Sequence, residues 1–199
     1  MSTLEVNTIA PVSGSSDVTL GGSSKNIKFA SGTTVDFNTN TPTLTLGSSM
    51  KMTPSFLVYR NSIQSISSAT YTKVQFNAED VDTDDAFDNS TNYRFTVPSG
   101  KDGKYFIFTT VEGSALSASQ FKYQNVAIYK NGSVYINHIM HMENSNTQQG
   151  HGNTYAIMDL VAGDYLEVYS RVADSSGSPQ FNGGAARQSC FGGYRVIGA

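Results

Sequence analysis

The sequence predicts an all-β chain: a sandwich or jelly roll in the C-terminal part, preceded by a thin β-stem. Three observations carry this. Short runs rich in Val, Ile, Phe, Tyr and Thr recur at regular spacing from residue 56 onward. No segment sustains the 3.6-residue apolar period of an amphipathic helix. The aromatics are also unevenly divided. Of 22 Phe and Tyr, only Phe29 and Phe37 precede Pro54.

The N-terminal region offers candidate strands at Leu4–Ile9, Val18–Leu20, Ile27–Phe29, Thr34–Phe37 and Leu44–Leu46. Turn formers separate them, as in Pro11-Val12-Ser13-Gly14 and Gly21-Gly22-Ser23-Ser24. Val18-Thr19-Leu20-Gly21 returns loosely as Leu44-Thr45-Leu46-Gly47. Such short strands carry one or two apolar side chains each and cannot build a core alone. Ordering each residue costs roughly 1–2 kcal/mol of backbone entropy. Several copies wound on one axis could share a core. Residues 1–53 are therefore expected to form an intertwined stem, and 54–199 a head.

In the head, the expected strands are Phe56–Ile63, Tyr71–Phe76, Tyr93–Val97, Gly103–Glu112, Tyr123–Lys130, Ser133–His138, Tyr155–Val161, Tyr165–Val172 and Cys190–Ile197. Lys130-Asn131-Gly132-Ser133 is a tight-hairpin signal, because Asn-Gly accepts the positive φ angles of a type I′ turn. Tyr105-Phe106-Ile107-Phe108 lacks polar alternation. A strand so composed is expected to be covered on both faces, one by the sandwich core and the other by a neighbouring subunit. All four residues are candidates for that subunit interface, with the face unassigned.

Composition narrows the function. Charged residues are 15% of the chain and the net charge is -3, against roughly 25% charged in an average domain. Ser, Thr and Asn supply 60 residues. Phosphate neutralisation needs clustered Lys and Arg, so nucleic acid is not an expected partner. No apolar run approaches the ~20 residues of a membrane helix, so no insertion is expected. The first residues lack the basic and apolar segments of a secretory signal. Cys190 has no partner for an intrachain disulfide.

Four segments in register resemble the complement C1q/tumour-necrosis-factor-like head. They are Tyr93-Arg94-Phe95-Thr96-Val97-Pro98 running into Gly103-Lys104-Tyr105-Phe106-Ile107-Phe108, then Tyr129-Lys130-Asn131-Gly132, Leu160-Val161-Ala162-Gly163-Asp164-Tyr165-Leu166-Glu167-Val168, and Ser189-Cys190-Phe191-Gly192-Gly193. In the last, Gly192 stands where that family usually has Ser. The resemblance spans roughly residues 55–199 and implies a jelly roll that trimerises through aromatic-rich faces. The N-terminus, Leu4-Glu5-Val6-Asn7-Thr8-Ile9 with Asp17-Val18-Thr19-Leu20-Gly21, is similar to the start of tailed-bacteriophage fibre proteins. That likeness implies attachment of this end to other virion proteins, with Leu4, Val6 and Ile9 as anchor residues.

Glu79-Asp80-Val81-Asp82-Thr83-Asp84-Asp85-Ala86-Phe87-Asp88 holds 6 of the 16 carboxylates. It is expected to be an acidic loop. Asp80, Asp82, Asp84 and Asp85 are its candidate cation ligands, calcium being the hard cation that oxygen donors suit. Asp85 replaces the turn glycine of an EF-hand, so that motif is rejected. His138 and His141 are three apart and fall on opposite faces of a regular strand. His141 and His151 are expected on a polar loop tip. Tyr59 or Tyr155 could stack on sugars if carried on a loop, but strand burial is the expected use of most tyrosines. No nucleophile elbow, zinc-binding His-Glu-x-x-His or phosphate-binding loop occurs, so no enzyme and no cofactor is expected. The expected function is a homotrimeric phage tail fibre in the virion, its head attaching to a host-surface glycan or protein. A decoration or connector protein, a bacterial C1q-like lectin and a glycan-degrading enzyme are the alternatives.

Overall fold

The computed structural model describes residues 51–118, 120–142, 146–175 and 177–196. They belong to the unit Leu46–Ala199. The expected stem strands, and the Leu4, Val6 and Ile9 anchor, lie outside the described residues.

Among the described residues every regular element is a strand. In chain order they are β1 (Ser55–Tyr59), β2 (Gln64–Ser65), β3 (Thr72–Lys73), β4 (Ala78–Asp82), β5 (Phe87–Asp88), β6 (Arg94–Thr96), β7 (Gly103–Ser114), β8 (Phe121–Lys130), β9 (Ser133–His141), β10 (Gln149–Leu160), β11 (Tyr165–Asp174), β12 (Gln180–Phe181) and β13 (Cys190–Arg195). They form two antiparallel sheets. In the first, β10 flanks one edge of β7, and the order continues β7-β13-β1-β4, with β12 and β2 beside the far end of β7. The second runs β5-β6-β11-β8-β9, with β3 also paired to β11. This is the expected jelly-roll sandwich.

Period-two alternation sorts the aromatics between core and surface. Along β7, Tyr105, Ile107, Thr109 and Val111 turn inward, while Phe106 and Phe108 turn out. Inside, Phe56 stacks on Phe95 with centroids 4.4 Å apart and meets Phe191 edge-on at 5.0 Å. Phe76, Phe87 and Val58 complete that end of the core. Burying each large apolar side chain supplies about 1.5–3 kcal/mol, so this cluster is the main source of stability.

Asn131 and Gly132 adopt positive φ, 52° and 79°, as the type I′ turn requires. Their hairpin is tied to the next turn. Asn131 Oδ1 accepts from Tyr165 N at 2.9 Å, and its amide donates to Asp164 at 2.7 Å. Lys130 Nζ pairs with Asp164 at 2.8 Å.

Several boundaries differ from expectation. The expected first strand ends at Tyr59, and only Thr72–Lys73 pairs within 71–76. The supposed acidic loop contains a strand, β4, paired to β1 from Phe56↔Asp82 to Tyr59↔Ala78. Its pairing comes from the backbone of β1, and charged side chains are what an edge strand tolerates. The supposed loop tip at His151 is also strand, because β10 runs back to Gln149 along the full length of β7. Tyr59 and Tyr155 sit within β1 and β10, as the expected strands Phe56–Ile63 and Tyr155–Val161 placed them, and not on loops.

Candidate functional site

The outer face of the first sheet carries an apolar band. Register places Val81 beside Leu57, Leu57 beside Gly192, Gly192 beside Phe108, and Phe108 beside Tyr155. The band therefore crosses β4, β1, β13, β7 and β10. A second row sets Tyr194, Phe106 and Ile157 side by side. Tyr155 and Ile157 are 63% and 64% exposed. Phe108 lies over Gly192, where an added Cβ would meet its Cζ at 2.6 Å. Gly192 thus makes room for this ring.

Of the four expected interface residues, the structure leaves two for that role. Tyr105 and Ile107 are fully buried in the sandwich, and Tyr105 donates its hydroxyl to Lys101 O at 2.6 Å. Burial raises the Tyr105 phenol to about 12. Phe106 and Phe108 remain on the outer face, half-buried.

The acidic segment does not gather its carboxylates. Asp80 is held by Arg187 in a two-pronged ion pair, which keeps its carboxyl below the ordinary range. Asp82 accepts from Phe87 N at 2.8 Å and Asp84 N at 3.4 Å. Asp84 pairs with Lys101 at 3.0 Å. Asp85 takes a positive φ of 51° at the turn. Among the described residues no three carboxylate, imidazole or thiolate groups converge on a metal position. Asp80, Asp82, Asp84 and Asp85 serve separate local contacts, because a register shift in β4 falls at Asp80, between it and Asp82, while Asp84 and Asp85 follow the strand into the turn.

His138 Nδ1 meets Asn153 O at 3.2 Å, across the gap between β9 and β10. His151 Nε2 stands 3.7 Å from Glu112, whose other oxygen accepts from Asn182 at 2.9 Å. Cys190 is half-buried, and burial pushes its thiol up.

The outer face of the second sheet escaped sequence reasoning. Tyr129 and Tyr169 pack with centroids 4.3 Å apart. Arg94 lies over Tyr165 at 4.5 Å. Arg171 lies over Tyr71 at 4.8 Å and over Tyr123 at 5.3 Å. Its Nε donates to Asn125 Oδ1 at 2.9 Å. The available signal was alternation: tyrosines at 123 and 129, and at 165 and 169, recur at even spacing on their strands.

No protein-family model matches the chain, and no curated protein matches it. Solved structures do. The globular domain of the zebrafish complement 1qA protein superposes with a TM-score of 0.50 at 17% identity, over 72% of this chain and 97% of that one. Eiger TNF from S. frugiperda superposes with a TM-score of 0.53 at 10% identity, over 73% and 93%. At such identities the likeness shows the fold alone: the described head is a C1q/TNF-like jelly roll.

Proposed function

We propose that the chain is a tailed-phage virion protein, a homotrimeric fibre whose head attaches to the host surface. The observation that carries this is the apolar band across five strands of the first sheet. Contiguous exposed apolar surface marks an interaction site. A threefold arrangement of identical heads would cover it, as the C1q/TNF-like fold and the sequence resemblance lead one to expect. Phe106, Phe108, Tyr155, Ile157 and Tyr194 would meet their counterparts there. The phage assignment rests on the N-terminal likeness, with residues 1–53 as virion anchor and stem. Three linked heads make weak individual contacts effective through multivalency. The reading gives the chain no catalytic step and no cofactor.

Immunogold labelling of the particle and an adsorption assay test it together. Label at a fibre tip, with adsorption blocked by purified protein, supports attachment. Label on the particle with adsorption unaffected favours a decoration protein instead. Deleting residues 1–53 should abolish incorporation while leaving a folded head. Incorporation that survives the deletion refutes the anchor.

A further inference from the structure

We propose that the outer face of the second sheet binds a carboxylate-bearing sugar through Arg171. This deepens the attachment reading and rests on it for its biological meaning.

Arg171 lies on β11, between β3 and β8. The Tyr71 ring flanks its guanidinium at 4.8 Å and the Tyr123 ring at 5.3 Å. Asn125, directly opposite on β8, accepts from Nε at 2.9 Å and fixes the plane of the group. The two terminal nitrogens make no hydrogen bond to protein among the described residues, and no carboxylate there pairs with Arg171. A planar fork held in place but left open matches a carboxylate bidentately. The charge is permanent, because guanidinium does not deprotonate in proteins. In a chain of net charge -3, an Arg without an acidic partner is complementary to an anionic ligand.

The surroundings suit a sugar more than a peptide. Tyr71 and Tyr123 lie two strands apart, roughly 10 Å, about the span of two pyranose rings. Their faces can take sugar C–H groups, while their hydroxyls stay available to water or ligand. Directly opposite Asn125 on β9 stands Ile139, half-exposed, and Asn137 lies diagonally, its Oδ1 accepting from the Asn125 amide at 3.4 Å. His141 packs beside Tyr123 with ring centroids 5.7 Å apart. Amides beside aromatic rings match alternating hydroxyl and C–H surfaces.

Saturation-transfer NMR on the full-length protein tests this. The probes are trigalacturonate, trimannuronate, a hyaluronan tetrasaccharide and 3′-sialyllactose, with maltotriose as the neutral control and dextran sulphate as the general polyanion. At least one carboxylate sugar should bind, at least tenfold more tightly than maltotriose. Arg171→Gln should weaken it at least tenfold, and Arg171→Lys should restore only part. Asn137→Asp is a second variant at an exposed position. It should weaken the acidic sugar and leave the fold and mass unchanged. The proposal is overturned if no acidic sugar binds, if maltotriose or dextran sulphate competes equally, or if Arg171→Gln binds as the parent does. Host adsorption without acidic-sugar binding would remove the site and leave attachment standing. Sugar binding with no role in adsorption would remove the attachment reading and leave the site.

Discussion

Gly113 and Gly152 face the second sheet at close range, around the buried amide of Gln124. Gln124 Nε2 donates to Val111 O at 3.0 Å and to Ser170 Oγ at 3.2 Å. A Cβ on Gly152 would sit 2.4 Å from Val126 Cγ2, and one on Gly113 would sit 2.5 Å from Val172 Cγ2. Interiors are close-packed, so the sheets must part to admit a methyl group. Gly152→Ala should therefore destabilise the head by about 1–3 kcal/mol. Urea unfolding measures it, and adding Val126→Ala should recover part of the loss. An unchanged midpoint would contradict the close approach. Neither glycine stood out in the sequence, because its role depends on what faces it across the sandwich. The same holds for Arg171: its partners Tyr71 and Asn125 come from the residue before β3 and from β8. Asp80 and Asp84 illustrate the reverse error. Their nearness along the chain suggested a shared ion, but each found its own cation, Arg187 or Lys101.

At the scale of elements, two turns lock each other. Asp164 accepts from Val161 N at 2.9 Å within its own turn and pairs with Lys130 across the hairpin. Burial opposes its ionisation, but the Lys130 ammonium, the Val161 N–H and the Asn131 amide outweigh this and hold the carboxyl at about 2. An unfolded aspartate titrates near ~3.9. The folded value is the lower one, so this contribution is complete above about pH 4 and is lost as pH falls toward about 2. Asp164→Asn should cost about 1–2 kcal/mol at neutral pH, the scale of charge-assisted hydrogen bonds. It should also flatten the stability profile between about pH 4 and 2. A parent and variant with parallel acid profiles would refute the assignment. This hairpin was legible because Asn131-Gly132 carries its own backbone requirement. β4 and the start of β10 were not. Acidic residues dominate β4 and polar residues with glycine the start of β10, and their pairing is imposed by β1 and β7. That β7 carries large apolar side chains on both faces was legible from Tyr105-Phe106-Ile107-Phe108, but parity was not. Only the register shows that Tyr105 and Ile107 fill the core while Phe106 and Phe108 face out.

For the whole molecule, the decisive question is what covers the band of Val81, Leu57, Phe108 and Tyr155 with the neighbouring row of Phe106, Ile157 and Tyr194. Ile157 separates subunit stability from assembly. It is 64% exposed on the head, so a charge there should cost the fold little, within about ±0.5 kcal/mol. At a sealed threefold interface the same charge would recur three times without partners, and uncompensated burial costs several kcal/mol per ion. Light scattering of the parent should give about three times 21.4 kDa. Ile157→Glu should shift the mass toward a single chain while the far-ultraviolet β signature and urea midpoint of the head persist. Phe108→Ala offers a softer contrast. It removes contact with Gly192 on its own subunit as well as the neighbour, so folding and assembly should both weaken. A parent that runs as a monomer would remove the trimer. A trimer that Ile157→Glu leaves intact would move the interface elsewhere on the head, to a face whose side chains tolerate that charge.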